Sequence, residues 1–310
     1  MQITRAFVLG AGLGTRLKRL TEVRPKPLIP VAGRPLIASA FDHLIDSGIR
    51  QIVINTHHLA AAYGDAFPGG TYREVPLTFR HEPVLLETGG GIKNVEDLLG
   101  AEPFIVYNGD ILATLPLEPA LAWHLASGNE VTLVLRSQGG PLQIALDAGG
   151  DGTGRVLDIG NRLGRAIGTR LFTGIYIVNP TFFRRLTLEK ASVIPAFLKM
   201  IEEGAGLGGI VLDEGHWWDL GTREQYLEVH RHLRKAASGT VWIDPSAHID
   251  PSATITGASY VGPNAEIGPE AQIKDSILWN GTKIAKKTVL KNCVVTDLQC
   301  VAGDHVDRDF

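Results

Sequence analysis

The stretch LGAGLGTRLKRLTEVRPKPLIPVAG, from Leu9 to Gly33, follows a short apolar run, Ala6 to Gly10, that reads as a buried strand. Gly10, Gly12 and Gly14 fall within five residues of one another. Glycines at this density let backbone N–H groups curl around an anion. Arg16 adds a planar fork for phosphate oxygens, and Lys26 adds a compact charge. Pro25 and Pro27 stiffen the backbone on both sides of Lys26. The Walker pattern GxxxxGK[ST] is absent. The dinucleotide fingerprint GxGxxG fails as well, because the third glycine is misplaced and the second strand ends in Asn55 and Thr56 instead of an acid. What is left is a phosphate-binding loop of another kind, set against a plain solvated basic loop.

Outward from this loop, short apolar runs alternate with helical patterns. RPLIASAFDHLIDSG carries Leu36, Ile37, Phe41, Leu44 and Ile45 at helical spacing, with Gly48 as a stop. RQIVINT, LTFRHE, PFIVYNGD and EVTLVLRS read as strands, and Ala60 to Phe67, GGGIKNVEDLLG and PALAWHLASG as helices. The alternation predicts an α/β fold: a Rossmann-like, mainly parallel sheet covered by helices on both faces. Ligands of such sheets gather at the C-terminal ends of the strands, where the glycine loop and Asp110 both fall. After about Ser137 the pattern becomes a glycine-turned hairpin, a long strand LFTGIYIVNP, and helices around Val193 to Glu203 and Arg223 to Lys235, with HWWDLGT between them.

From Val241 the period changes. Ile243, Ile249, Ile255, Val261, Ile267 and Ile273 recur every sixth residue; Leu278, Ile284 and Leu290 resume after one slip, Val295 and Val301 after a second. Neither a strand nor a helix repeats at six, whereas the hexapeptide units of a parallel β-helix do. The chain therefore divides into residues 1–237, the α/β domain that carries the glycine loop, and residues 238–310, a hexapeptide-repeat β-helix. A chain of 310 residues is long enough for two such domains.

The net charge of −3 argues against a nucleic-acid binder. Cys293 and Cys300 form no CxxC pair, which points to a reducing cytosol without a zinc or disulfide framework. No apolar run reaches the roughly 20 residues of a membrane span, and the expected location is cytoplasmic.

LGAGLGTRL…PKPLIPVAGRPLI resembles the signature of the sugar-1-phosphate nucleotidylyltransferases, the nucleotide-sugar pyrophosphorylases. The NGD of Asn108 to Asp110, FTGIYIVNP and WWDLGT are further landmarks of that family, in which a C-terminal left-handed β-helix is common. The resemblance implies NTP + sugar 1-phosphate → NDP-sugar + pyrophosphate, by in-line attack of a sugar-phosphate oxygen on the α-phosphorus. It implies that Arg16 holds the departing phosphates and Lys26 stabilises charge at the α-phosphoryl group. It implies Mg²⁺ on Asp110 and Asp219. Asp219 also reads as an N-cap for the helix after DLGT. The nucleotide is expected against Leu9, Ala11, Gly12, Gly14 and Thr15. Glu82 or backbone near it, with Thr88 and Gly89, would form the other wall. Relatives carry a Glu-Lys pair after the strand that here reads RVLDIG, where this chain has Asn161 and Arg162. Arg162 or Arg165 is then the candidate replacement cation, and Thr173 and Gly174 line the sugar pocket.

LETGGGI is similar to N-acetylmuramic acid 1-phosphate uridylyltransferases, while the β-helix is similar to mannose-1-phosphate guanylyltransferases. The expectation leans to UTP and N-acetylmuramic acid 1-phosphate, with mannose- or heptose-1-phosphate guanylyl transfer as the alternative. A non-catalytic nucleotide-sugar-binding homologue is a further reading, opposed by the presence of Arg16, Lys26, Asp110 and Asp219. Acyl transfer by the β-helix would need a placed histidine, and His248 and His305 read as a surface residue and a tail residue. The β-helix is expected to join copies of the chain into a homo-oligomer.

Overall fold

The computed structural model describes residues 2–100, 102–236 and 241–310, so the expected domain boundary at 237/238 lies outside the described residues. The chain forms two compact units. One comprises Met1–Gly12 and Ile37–Trp217, and the other Leu13–Leu36 and Trp218–Phe310.

The first unit is built on a mixed sheet. Its longer strands are β1 (Arg5–Leu9), β2 (Gln51–Thr56), β3 (Val75–His81), β4 (Phe104–Asn108) and β5 (Val131–Arg136). They continue with β6 (Leu142–Ala148), β7 (Thr153–Ile159), β8 (Arg170–Val178) and β9 (Leu207–Val211). Their order is β6-β7-β9-β5-β8-β4-β1-β2-β3, with the two-residue strand Thr71–Tyr72 at the β3 edge. Strands β4, β1, β2 and β3 run parallel, as the alternation predicts. Beyond β4 the sheet is mixed, because β8 runs antiparallel to both β4 and β5. Strands β6 and β7 form a hairpin, and a hairpin connection reverses direction where a helical crossover would preserve it.

Seven α-helices are described: α1 (Leu36–Asp46), α2 (Ala61–Ala66), α3 (Glu87–Lys93), α4 (Glu96–Leu99), α5 (Glu118–Ser127), α6 (Ile194–Glu203) and α7 (Arg223–Ala236). Helix α1 buries Leu36, Ile37, Phe41 and Leu44 completely, the stripe read from the sequence. It stops at Gly48, whose φ of +95° accompanies the closing bonds Gly48 N→Ile45 O and Ile49 N→Leu44 O. One face of the sheet (Phe7, Val53, Val106, Leu133, Tyr176) packs with Ile92 of α3 and Phe197 and Met200 of α6 in a single core. Burial of such side chains stabilises by about 1.5–3 kcal/mol each.

In the second unit, residues 242–306 wind into three parallel sheets of four two- or three-residue strands, the triangular section of the expected left-handed β-helix. The six-residue ladder stacks as read. Ile243, Val261, Leu278 and Val295 align on one sheet, and Ile249, Ile267, Ile284 and Val301 on the next. Ile255, Ile273 and Leu290 align on the third, where His305 takes the fourth place. Each one-residue slip, at 273/278 and 290/295, shortens the corner between the third sheet and the first, so the stacks stay in register. The outermost coil leaves Ile243 46% exposed, as an uncovered ladder end must. The segment Leu13–Leu36 and α7 belong to this same unit, although both precede the repeats in sequence.

Candidate active site

Within the second unit, residues 13–36 carry the two candidate cations. Gly14 lies in the left-handed region at φ +64° and begins the 3₁₀ segment Thr15–Thr21, with Leu17 N donating to Gly14 O at 2.9 Å. A Cβ at Gly14 would sit 2.8 Å from Lys26 Cβ and 2.8 Å from Thr21 Cγ2. Two separate constraints, conformation and the approach of Lys26, thus demand glycine there. Lys26 opens a tight turn, Lys26–Leu28, in which Leu28 N donates to Pro25 O and Ile29 N to Lys26 O. Its side chain is only 4% exposed, and its Nζ lies 3.4 Å from Asp219 Oδ1. Asp219 Oδ2 lies 3.5 Å from an Nη atom of Arg16, whose side chain is 64% exposed. Arg16, Lys26 and Asp219 are therefore one charge cluster. Gly221 floors it: a Cβ there would fall 2.6 Å from the Arg16 guanidinium.

The N-cap reading of Asp219 is replaced. Helix α7 is capped by Thr222 and Gln225, with Thr222 N donating to Gln225 Oε1 at 2.9 Å and Gln225 N to Thr222 Oγ1 at 3.2 Å. This reciprocal box is written in the sequence as T-x-x-Q and relieves Asp219 of capping duty.

The remaining candidates lie in the first unit, most of them at the C-terminal ends of its parallel strands. Leu9 of β1 is in register with Asn55 of β2 and Asn108 of β4. Gly109 N donates to Leu9 O at 3.0 Å, which holds the Asn108–Asp110 turn beside the start of the glycine loop. Burial, and next the charge of Asp110, raise the pKa of the Tyr63 phenol. That phenol donates to Gly10 O at 2.8 Å. Ala11 is buried. Gly12 is exposed, and no atom lies within 4 Å of where its Cβ would stand.

Glu82 is fully buried. Its Oε1 accepts from Asn55 Nδ2 at 2.7 Å and its Oε2 from Leu86 N at 2.9 Å, while Asn55 Oδ1 accepts from Gly10 N at 2.8 Å. The carboxylate is thus committed to a chain of bonds that ties the glycine loop to the segment before α3. Gly89 N donates to Ala191 O at 2.7 Å, and a Cβ on Gly89 would lie 2.9 Å from that oxygen. Thr88 Oγ1 accepts from Val193 N at 2.8 Å. Gly89 and Gly90 therefore admit residues 189–192 at close range, while a Cβ on Gly91 would lie 2.9 Å from Asn55 Nδ2 and 3.1 Å from Glu82 Oε1.

Thr173 is buried, with its Oγ1 donating to Val134 O at 2.7 Å, and its carbonyl accepts from Trp217 Nε1 at 2.9 Å. Gly174 has φ +80° in a break of the β8–β5 register, and a Cβ there would meet Asn108 Nδ2 at 2.5 Å. Asn161 and Arg162 are exposed on the turn after β7. The turn is organised by Asp158, which the sequence does not single out. Its carboxylate accepts from the N–H groups of Ile159, Leu163 and Arg165 at 2.7, 3.2 and 2.9 Å. Burial alone would raise its pKa, but those donors outweigh burial and hold it below the usual carboxylate value. Arg165 donates from Nη1 to Ile201 O at 3.1 Å, whereas the Arg162 guanidinium has no hydrogen bond or ion pair among the described residues.

Comparison with known proteins follows the same lines. Residues 5–236 match the nucleotidyl transferase family, and residues 237–306 match the GMPPB C-terminal domain. A mannose-1-phosphate guanylyltransferase catalytic subunit beta of Drosophila melanogaster is 31% identical over 94% of this chain and 83% of its own length. The protein of the same name from Danio rerio is 28% identical over 94% and 85%. That from Dictyostelium discoideum is 28% identical over 72% of this chain, which spans 62% of its length. Among solved structures, a UDP-glucose pyrophosphorylase from Acinetobacter baumannii superposes with a TM-score of 0.66 at 18% identity, covering 75% of this chain and 93% of its own, a likeness of fold. The chain belongs to the nucleotidyl transferase family, and the enzyme class implied by its motifs, the sugar-1-phosphate nucleotidylyltransferases, is that of its relatives.

Proposed function

We propose that this nucleotidyl transferase transfers a guanylyl group from GTP to mannose 1-phosphate, giving GDP-mannose and pyrophosphate. The lean to UTP and N-acetylmuramic acid 1-phosphate rests on LETGGGI alone. In the structure Gly89 and Gly90 admit residues 189–192 and Gly91 packs beside Asn55 and Glu82, which gives these glycines a packing reason independent of the base. The relatives named above support the guanylyl reading.

The observation that carries the reaction type is the buried Lys26 ammonium, clustered with Asp219 and Arg16. A sugar-phosphate oxygen bonds to the α-phosphorus of the nucleotide, the bond to the β-phosphate oxygen breaks, and pyrophosphate leaves with that electron pair. The nucleophile is already an anion, so the task is to neutralise and position charge. Lys26 meets the α-phosphate and Arg16 the departing β,γ-phosphates. Leu9, Ala11, Gly12, Gly14 and Thr15 meet the nucleotide. Arg162, the uncommitted cation of its turn, takes the sugar phosphate, with Asn161, Thr173 and Gly174 near the sugar.

Among the described residues no group of three or more His, Cys, Asp or Glu is placed to cage a metal. Mg²⁺, a cation that takes only one or two carboxylates plus phosphate and water oxygens, is the metal we propose, with Asp110 and Asp219 as its carboxylates. Asp219 already holds Lys26 and Arg16 at 3.4 and 3.5 Å, so a metal there would share the carboxylate with those two cations. A bound Mg²⁺ would supply neutralisation of phosphate charge. No described helix is long and apolar enough to cross a membrane. We place the reaction in the cytoplasm on the cysteine usage, two cysteines without a CxxC pair. The β-helix, residues 238–310, joins copies of the chain. The test is pyrophosphate release from each of four NTPs with a panel of sugar 1-phosphates and Mg²⁺. Release with no pair, despite nucleotide-sugar binding, would favour the non-catalytic reading.

A further inference from the structure

We infer that α7 and the β-helix position the catalytic lysine, with Tyr226, Trp279 and Arg24 as the positioning residues; this rests on the role proposed for Lys26. The turn that carries Lys26 is gripped on both flanks. On the N-terminal flank, the Arg24 guanidinium lies 5.8 Å over the Trp279 ring and pairs with Asp297 Oδ2. The other oxygen of Asp297 accepts from Asn280 N at 3.1 Å, so this anchor is itself fixed to a coil of the β-helix. On the C-terminal flank, the Tyr226 hydroxyl of α7 donates to Pro30 O at 2.5 Å. The same hydroxyl accepts from Trp279 Nε1 at 3.1 Å. A little further on, Ala32 N donates to His230 Nε2 at 3.3 Å, and His230 Nδ1 donates to Tyr226 O at 2.9 Å.

One indole of the β-helix thus touches both flanks: its ring meets Arg24 and its N–H reaches Pro30 through Tyr226. Tyr226 and Trp279 are both fully buried. Apolar residues would fill such a space without buried donors to satisfy. Here both polar side-chain atoms of the pair are directed to the loop or to the other partner. Between the flanks, Pro25, Pro27 and the two backbone bonds of the turn leave Lys26 little freedom. Lateral error in the ammonium is what such a frame suppresses, and an error of about 1 Å costs on the order of 10² in rate. The repeats thereby contribute to chemistry without carrying a reacting group.

The test uses the full chain. Tyr226→Phe and Trp279→Phe are each made in the wild-type and Lys26→Ala backgrounds, and kcat and KM for GTP are measured well below the melting temperature. Each substitution is expected to lower kcat about tenfold in the wild-type background with KM changed less than about twofold. In the Lys26→Ala background the same substitution is expected to change kcat by less than about twofold, because its effect passes through the missing ammonium. An equal factor in both backgrounds, or unchanged kcat in both variants, overturns the proposal. If Tyr226→Phe does not fold, Trp279→Phe and Asp297→Asn give the same comparison. Wild-type turnover in Lys26→Ala alone would instead overturn the role given to Lys26, a result distinguishable from additive losses.

Discussion

Gly14→Ala is the substitution whose consequence follows most directly from the geometry. The position holds φ +64°, and an added Cβ meets Lys26 Cβ and Thr21 Cγ2, both at 2.8 Å. The left-handed conformation costs an alanine about 1–2 kcal/mol. Overpacking against two buried neighbours adds about 1–3 kcal/mol. Together they destabilise the loop as seen by about 2–5 kcal/mol. Relief requires Lys26 to move, and displacement of that ammonium by about 1 Å predicts a loss of about 10² in kcat. Gly12→Ala is the control. No atom lies within 4 Å of its Cβ and its φ is not positive, so stability should change by less than about 0.5 kcal/mol. Its expected effect is a raised KM for the nucleotide, since the methyl group occupies the face assigned to it. The assays are pyrophosphate release and urea melts of both variants. Wild-type kcat in Gly14→Ala would show that the packing of this glycine does not set the place of Lys26. Equal destabilisation by the two substitutions would count against it as firmly.

Lys26→Ala should lower kcat by about 10²–10³, with a smaller change in nucleotide affinity; normal turnover would remove it from the mechanism. Asp219→Asn should weaken the Mg²⁺ dependence of turnover while α7 keeps its Thr222–Gln225 cap, so an unchanged Mg²⁺ titration would argue against the metal assignment. Arg162→Ala should raise KM for the sugar 1-phosphate, and Arg165→Ala should instead lower thermal stability through loss of its bond to Ile201 O; the reverse pattern would exchange their roles. His230 is fully buried, and burial lowers its pKa to about 4, against a smaller opposing effect of its bond to Tyr226 O. The fold therefore prefers neutral His230. The stability this carries is complete above about pH 6.5 and is lost as pH falls toward 4, by about 3 kcal/mol in all. His230→Asn should flatten the stability profile over that range in urea melts, and an unaltered slope would exclude His230 as its source.

The features legible in the sequence are those that a local pattern encodes. The six-residue ladder forms three aligned stacks because a period is preserved however the chain is wound. Gly14 and the prolines around Lys26 are legible because conformation and loop stiffness are local properties. The long-range partners leave no such trace. Arg24 and Asp297 are 273 residues apart, and Tyr226 and Pro30 are 196 apart. Trp279 is fully buried and bonded to Tyr226, 53 residues away in the sequence. Glu82 reads as a contact for the base because its partner Asn55 ends a different strand. The Thr222–Gln225 box is a local pattern too, but an acid three residues before Thr222 competes with it for the N-cap reading, and only the geometry decides between them.

A competition in one vessel separates the possible reactions. Purified full-length chain and Mg²⁺ are given equimolar GTP and UTP with equimolar mannose 1-phosphate and N-acetylmuramic acid 1-phosphate, and the nucleotide-sugar products are separated by mass. Guanylyl transfer to mannose 1-phosphate requires GDP-mannose as the dominant product, formed in step with pyrophosphate and lost on removal of the metal. Predominance of a uridine-diphosphate sugar, or pyrophosphate without any nucleotide sugar, would rule that reaction out.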